Sequence, residues 1–69
     1  MMTTTTLPVK GMTCGGCVNS VTKALKGVEG VHDVEVSLEK HQATVTFDEA
    51  KVSTDQLKEA VEDAGYDVE

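Results

Sequence analysis

The two cysteines of this chain, Cys14 and Cys17, stand three positions apart in the segment Gly11-Met12-Thr13-Cys14-Gly15-Gly16-Cys17. A thiol pair at that spacing supports two kinds of chemistry. It can grip one soft metal ion, or it can cycle between dithiol and disulfide. Thiolates select Cu(I), Zn(II), Cd(II) or Hg(II) over hard ions. A structural zinc site closes with four ligands, and the remaining nitrogen donors are His32 and His41. These are nine residues apart, not at finger spacing, and both read as surface turn residues away from the cysteine segment. Two thiolates alone suit an ion that accepts near-linear coordination, which means Cu(I) or Hg(II). Zn(II) would need a carboxylate or a second protein to complete its shell.

The redox alternative has less behind it. Thiol–disulfide enzymes of the thioredoxin type also place C-x-x-C at a helix start, but on a longer chain with a proline packed near the thiols. Here the one proline is Pro8, the residues between the cysteines are both glycine, and no tryptophan precedes Cys14.

The surrounding elements must position the pair. Met1–Thr6 reads as a loose polar start, followed by a short strand in which Leu7 and Val9 alternate with Pro8 and Lys10. Pro8 cannot donate a ladder hydrogen bond, which puts that strand at an edge or puts Pro8 near its beginning. From about Gly16 to Lys26, Val18, Val21 and Leu25 fall at helical spacing with Ala24 beside them, and Gly27 reads as the C-cap. Cys17 then lies in the first turn, where free backbone N–H groups and the helix dipole favour an anion, hence a thiolate and metal capture. Gly15 and Gly16 read as a flexible, unobstructed loop that admits a partner's thiolate.

Beyond Gly30, Val34, Val36 and Leu38 alternate with polar residues. Glu39–His41 makes a turn, and Ala43, Val45 and Phe47 complete a hairpin. Ser53 and Gln56 fit a capping box opening a second helix, whose apolar stripe is Leu57, Ala60, Val61 and Ala64. Gly65 ends it and Tyr66–Val68 begins a last strand. The order β-α-β-β-α-β predicts an α+β, ferredoxin-like sandwich: a four-stranded antiparallel sheet with two helices on one face.

Sixty-nine residues suffice for a single domain, read here as 1–69, with a small core. The net charge of −6 argues against nucleic acid and anionic membranes as partners. The charge is uneven. Residues 1–30 hold three lysines against one acid, a balance of +2, and residues 31–69 hold three lysines against eleven acids, a balance of −8. No run approaches the ~20 apolar residues of a membrane span. Met1–Thr6 has neither a basic residue nor an apolar stretch, so it does not read as a secretory signal. Unless a leader has been trimmed, this favours the cytoplasm, where a close cysteine pair is kept reduced.

The segment Gly11-Met12-Thr13-Cys14-Gly15-Gly16-Cys17 resembles the GMTCxxC signature of the heavy-metal-associated domain family. The resemblance runs from about Leu7 to Val68 and includes Lys23-Ala24-Leu25, Gly27-Val28, Gly30-Val31 and Ala64-Gly65-Tyr66. That family comprises small copper chaperones, metal-binding domains of copper- and zinc-transporting P-type ATPases, and a periplasmic mercury-binding protein, all with the ferredoxin-like fold.

The resemblance implies that Cys14 and Cys17 are the metal ligands and that Met12 tucks into the core beneath the segment. It also places Tyr66 in a loop near the metal. Tyrosine there is similar to bacterial copper chaperones. Thr13 stands where zinc-type domains tend to carry an acid, which puts Cu(I) ahead of Zn(II), with Hg(II) open. The function so implied is that of a soluble copper chaperone, not an enzyme. It would bind one Cu(I) and pass it by thiolate exchange to a metal-binding domain of a copper-transporting P-type ATPase. The alternatives are a mercury carrier or an ATPase metal-binding domain. The chain would be a monomer without metal, with a metal-bridged dimer open to it, and would not insert in a membrane.

Overall fold

The computed structural model describes residues 2–13 and 15–68. In chain order the elements are β1 (Met2–Lys10), α1 (Gly15–Lys26), β2 (Val31–Ser37), β3 (Gln42–Asp48), α2 (Thr54–Asp63) and β4 (Asp67–Val68). The strands pair antiparallel in one sheet of order β2-β3-β1-β4. This is the ferredoxin-like βαββαβ arrangement predicted from the residue pattern.

The period-2 alternation sets the faces. Leu7 and Val9 of β1, Val34 of β2, and Ala43, Val45 and Phe47 of β3 point into one core. There they meet Val21 and Leu25 of α1 and Leu57 and Val61 of α2, with Met12 and Val52 closing the ends. No polar side chain is buried among the described residues, so burial costs no unpaired hydrogen-bonding group.

The first strand is longer than predicted. Met2–Thr6 is not a loose start: it is β-strand, paired through Met2↔Asp48 to Thr6↔Thr44. Threonine favours a pleated, half-exposed surface, and here it finds threonine opposite. The Thr4 and Thr46 hydroxyls lie 3.1 Å apart, those of Thr6 and Thr44 3.4 Å apart, and Thr3 donates to Glu49 at 2.9 Å. The segment taken alone carries no hydrophobic alternation, and the strand preference of its threonines is its one local signal.

Pro8 meets neither expectation: β1 lies between β3 and β4, and Pro8 stands near its end, not its beginning. What makes it tolerable is the direction its nitrogen faces. The Val9 N–H donates to the His41 carbonyl at 2.8 Å, on the β3 side. Alternation therefore turns the Pro8 nitrogen to the opposite side, where the described pairing with β4 involves only Val9 and Lys10.

Gly27 follows α1 as expected but not as a left-handed cap. Its N–H donates to Lys23 at 3.0 Å, and Val28 donates to Leu25 at 3.1 Å in a tightened last turn. The glycine after α2 is left-handed: Gly65 has φ 97. Gly65 N–H donates to the Glu62 carbonyl at 2.9 Å and Tyr66 N–H to the Val61 carbonyl at 3.3 Å, the paired bonds of a Schellman stop. At Gly30 (φ 97) a side chain is excluded twice over, since a Cβ would sit 2.9 Å from Cβ of Lys51. Among the described residues, no helix is long and apolar enough to cross a membrane.

Candidate metal centre

β1 delivers the chain to Gly11, whose φ of 98 is left-handed and turns the backbone out of the sheet. Met12 then drops into the core, 3% exposed, while Thr13 stays exposed. A buried residue between exposed neighbours pins the segment to the domain. Met12 thus occupies the position expected of it.

α1 begins at Gly15, one residue earlier than predicted. Gly15 and Gly16 are therefore not a flexible loop: they form the first helical turn, and both are exposed. A Cβ at Gly15 would meet nothing within 4 Å.

Cys17 stands in this first turn, half-buried against the core. Its sulfur lies 3.8 Å from the Thr13 hydroxyl, and either group can be the donor. The first turn carries no acidic residue, and the last turn carries Lys23 and Lys26. The helix thus reserves its electropositive end for whatever anion gathers there and balances the opposite end with lysine. Cys14 lies outside the described residues.

Tyr66 is brought to the same end by the Schellman stop of α2. The ring is half-buried on the core, and its Cδ1 is 3.6 Å from where a Gly11 Cβ would be. Two sequence-distant segments, the turn at Gly11 and the loop after α2, therefore lie side by side.

The histidines divide. His32 lies near the start of β2, at the far end of the sheet. His41, expected to lie away from the cysteine segment, does not. β3 runs antiparallel to β1 and so starts where β1 ends, and the His41 carbonyl holds the Val9 N–H two residues before Gly11. The topology deduced from the sequence already required this placement. Its side chain is exposed, and its φ of 52 is the one positive value outside glycine among the described residues. Among those residues no group of three or more His, Cys, Asp or Glu gathers in a metal-holding cluster.

The heavy-metal-associated domain family model matches residues 6–67. The chain belongs to the heavy-metal-associated domain family. Three of its relatives differ in role. The copper chaperone CopZ of Staphylococcus aureus is 48% identical over 62 residues, covering 90% of this domain and 91% of the relative. The periplasmic component of a mercuric transport protein of Salmonella typhi is 54% identical over 63 residues, covering 91% of this domain and 69% of the relative. A crystal structure of a copper-binding domain from HMA7, a P-type ATPase, superposes with a TM-score of 0.95 at 42% identity, covering 100% of this domain and 92% of that chain.

Proposed function

We propose that this heavy-metal-associated domain is a metal carrier that binds one Cu(I) through Cys14 and Cys17 and hands it to a homologous domain of a copper-transporting P-type ATPase. The observation that carries the reading is the placement of Cys17. It sits at the open, electropositive start of α1, with Thr13 beside its sulfur.

Cu(I) is cargo here. The two thiolates hold it with room for a further ligand, because Gly15 puts no side chain in the way. A thiolate of the partner domain adds to the ion, giving a three-coordinate bridge. One thiolate of this chain then leaves, the partner's second thiolate takes its place, and the ion crosses without change of oxidation state. No bond in an organic substrate forms or breaks, so the carrier is not an enzyme. The chemistry requires reduced thiols, which the cytoplasm maintains. Thr13 in place of an acid leaves Zn(II) short of oxygen ligands and favours Cu(I).

Competition titration of the reduced protein under anaerobic conditions tests the reading. Tight one-to-one Cu(I) binding with weak Zn(II) binding is expected, followed by transfer to a copper-ATPase domain. Failure to bind either soft ion tightly overturns it. The similarity to the mercuric transport protein favours a second reading, a Hg(II) carrier. Any dithiol binds Hg(II), so only onward transfer to a mercury-pathway partner, with no transfer of Cu(I), would decide for it.

A further inference from the structure

The two outer edges of the sheet are built differently. β2 forms one of them. It is guarded by exposed His32, Asp33 and Glu35, and its register shifts between Val31 and Asp33. Charge and irregularity of this kind block edge-to-edge pairing. On the other side, β4 is described as pairing with Val9 and Lys10 alone. The preceding stretch of β1, Met2-Thr3-Thr4-Thr5-Thr6-Leu7, carries no charge and pairs without a register break to β3.

Because Val9 donates toward β3, alternation turns the N–H and C=O groups of Met2, Thr4 and Thr6 outward. Beyond the strand ladders, no backbone group among the described residues bonds to those three. All three are exposed, and Met2 is the one exposed large hydrophobic residue among the described residues.

We infer that this edge pairs with a second copy of the chain, β1 against β1 in antiparallel register about a twofold axis at Thr4. The occupant follows from self-complementarity. In this register each Thr4 exchanges two hydrogen bonds with its counterpart. Met2 of either copy lies opposite Thr6 of the other, so every outward group of the three finds a partner. Pro8, which has no N–H to give, lies outside the paired stretch. In this register the partner's Met2 lies opposite Thr6, whereas β4 pairs with Val9 and Lys10. Threonine meets threonine across the new seam as it already does between β1 and β3. The chain carries a net charge of −6, yet the stretch Met2–Leu7 sets no charged side chain against its copy. A seam of two short strands is a small interface and therefore a weak one. The apo chain is then a monomer when dilute and a dimer when concentrated. This inference does not rest on the metal-binding reading.

The test uses the metal-free full chain with Cys14 and Cys17 both changed to Ser, which removes metal and disulfide bridging. Sedimentation over a rising concentration series is expected to show a reversible dimer, and exchange of the Thr4 and Thr6 amide protons should slow as it forms. Thr4→Pro removes an outward N–H that the fold does not use and should raise the dimer Kd about tenfold or more, with circular dichroism unchanged. Thr4→Lys, on the open face, sets two lysines opposite each other and should do the same should the proline variant misfold. A chain monomeric at every concentration, or a dimer unaffected by both variants, overturns the proposal.

Discussion

The two helices hold equivalent places in the βαββαβ order, and they begin in opposite ways. Ser53 accepts the Gln56 N–H at 3.3 Å, and the Gln56 side chain accepts the Ser53 N–H at 2.8 Å. With Asp55 in the first turn, the start of α2 is closed by reciprocal bonds and a matched charge. α1 starts on Gly15 and Gly16, has no acid in its first turn, and presents Cys17 there. Glycine is among the poorest residues for holding a helix. One start is built for stability. The other has no acid in its first turn and open space beside Gly15, with Met12 buried just before it, Tyr66 beside Gly11, and Lys23 and Lys26 at the far end.

The largest effect expected is at the open start. Changing Cys14 and Cys17 together to Ser should remove tight one-to-one Cu(I) binding while leaving the thermal midpoint nearly unchanged, because the half-buried Cys17 lies against the core and is not one of its fully buried members. Anaerobic titration against a competing chelator, with calorimetry of the apo variant, checks both halves. Retained affinity would mean that the two helix starts do not differ in role. The closed start should give the mirror result. Ser53→Ala should cost about 1 kcal/mol, a fall in Tm of about 4–8 °C for a domain of this size, with Cu(I) affinity unchanged. A loss of affinity there would show the two helix starts to be coupled.

A smaller effect sharpens the contrast from within the site. Gly15 is helical and its Cβ would have open space, so Gly15→Ala should stabilise the apo domain by about 0.4–1 kcal/mol. If the glycine is there to admit a partner thiolate, the same variant should slow metal transfer while leaving equilibrium affinity nearly intact. Stopped-flow transfer and denaturant unfolding measure the two quantities separately. A stabilised variant that transfers at the original rate would leave the approach without a role for Gly15.

Much of this contrast is legible in the order of residues alone. The capping box at Ser53 and Gln56 is a local signal, and both of its bonds are formed. The hairpin and both helical stripes follow from residue period, and the core contains Val21, Leu25, Ala43, Val45, Phe47, Leu57 and Val61. The departures from expectation share a cause. Met2–Thr6 has no apolar alternation of its own and becomes strand because β3 offers a threonine-bearing partner, a long-range fact. Gly27 and Gly65 look alike in sequence, but only Gly65 adopts the left-handed conformation. His41 is locally a turn residue, yet antiparallel pairing of β1 with β3 brings its turn to the end where Gly11 lies. Those parts of the site that are close in sequence carry local signals; its outer neighbours depend on pairing.

The smallest effect concerns the approach to the closed start. Asp48 ends β3, and its carboxylate accepts the Ala50 N–H at 3.0 Å. That backbone hydrogen bond first, and the charge of Lys51 with it, hold the Asp48 carboxyl below the ordinary aspartate range. A depressed folded pKa means the unfolded chain takes up its proton first as the solution is acidified. The contribution of Asp48 is thus fully present above the ordinary aspartate pKa and fades as pH falls through its lower folded value. Asp48→Asn should flatten the acid limb of a Tm-against-pH curve slightly and leave neutral stability nearly as it was, since the amide oxygen can still accept from Ala50. Asp48 is only half-buried, at the end of β3, and solvent screening keeps the effect small. An acid limb with the same slope in both proteins would show that the turn into α2 is held by Ser53 and Gln56 without help from charge.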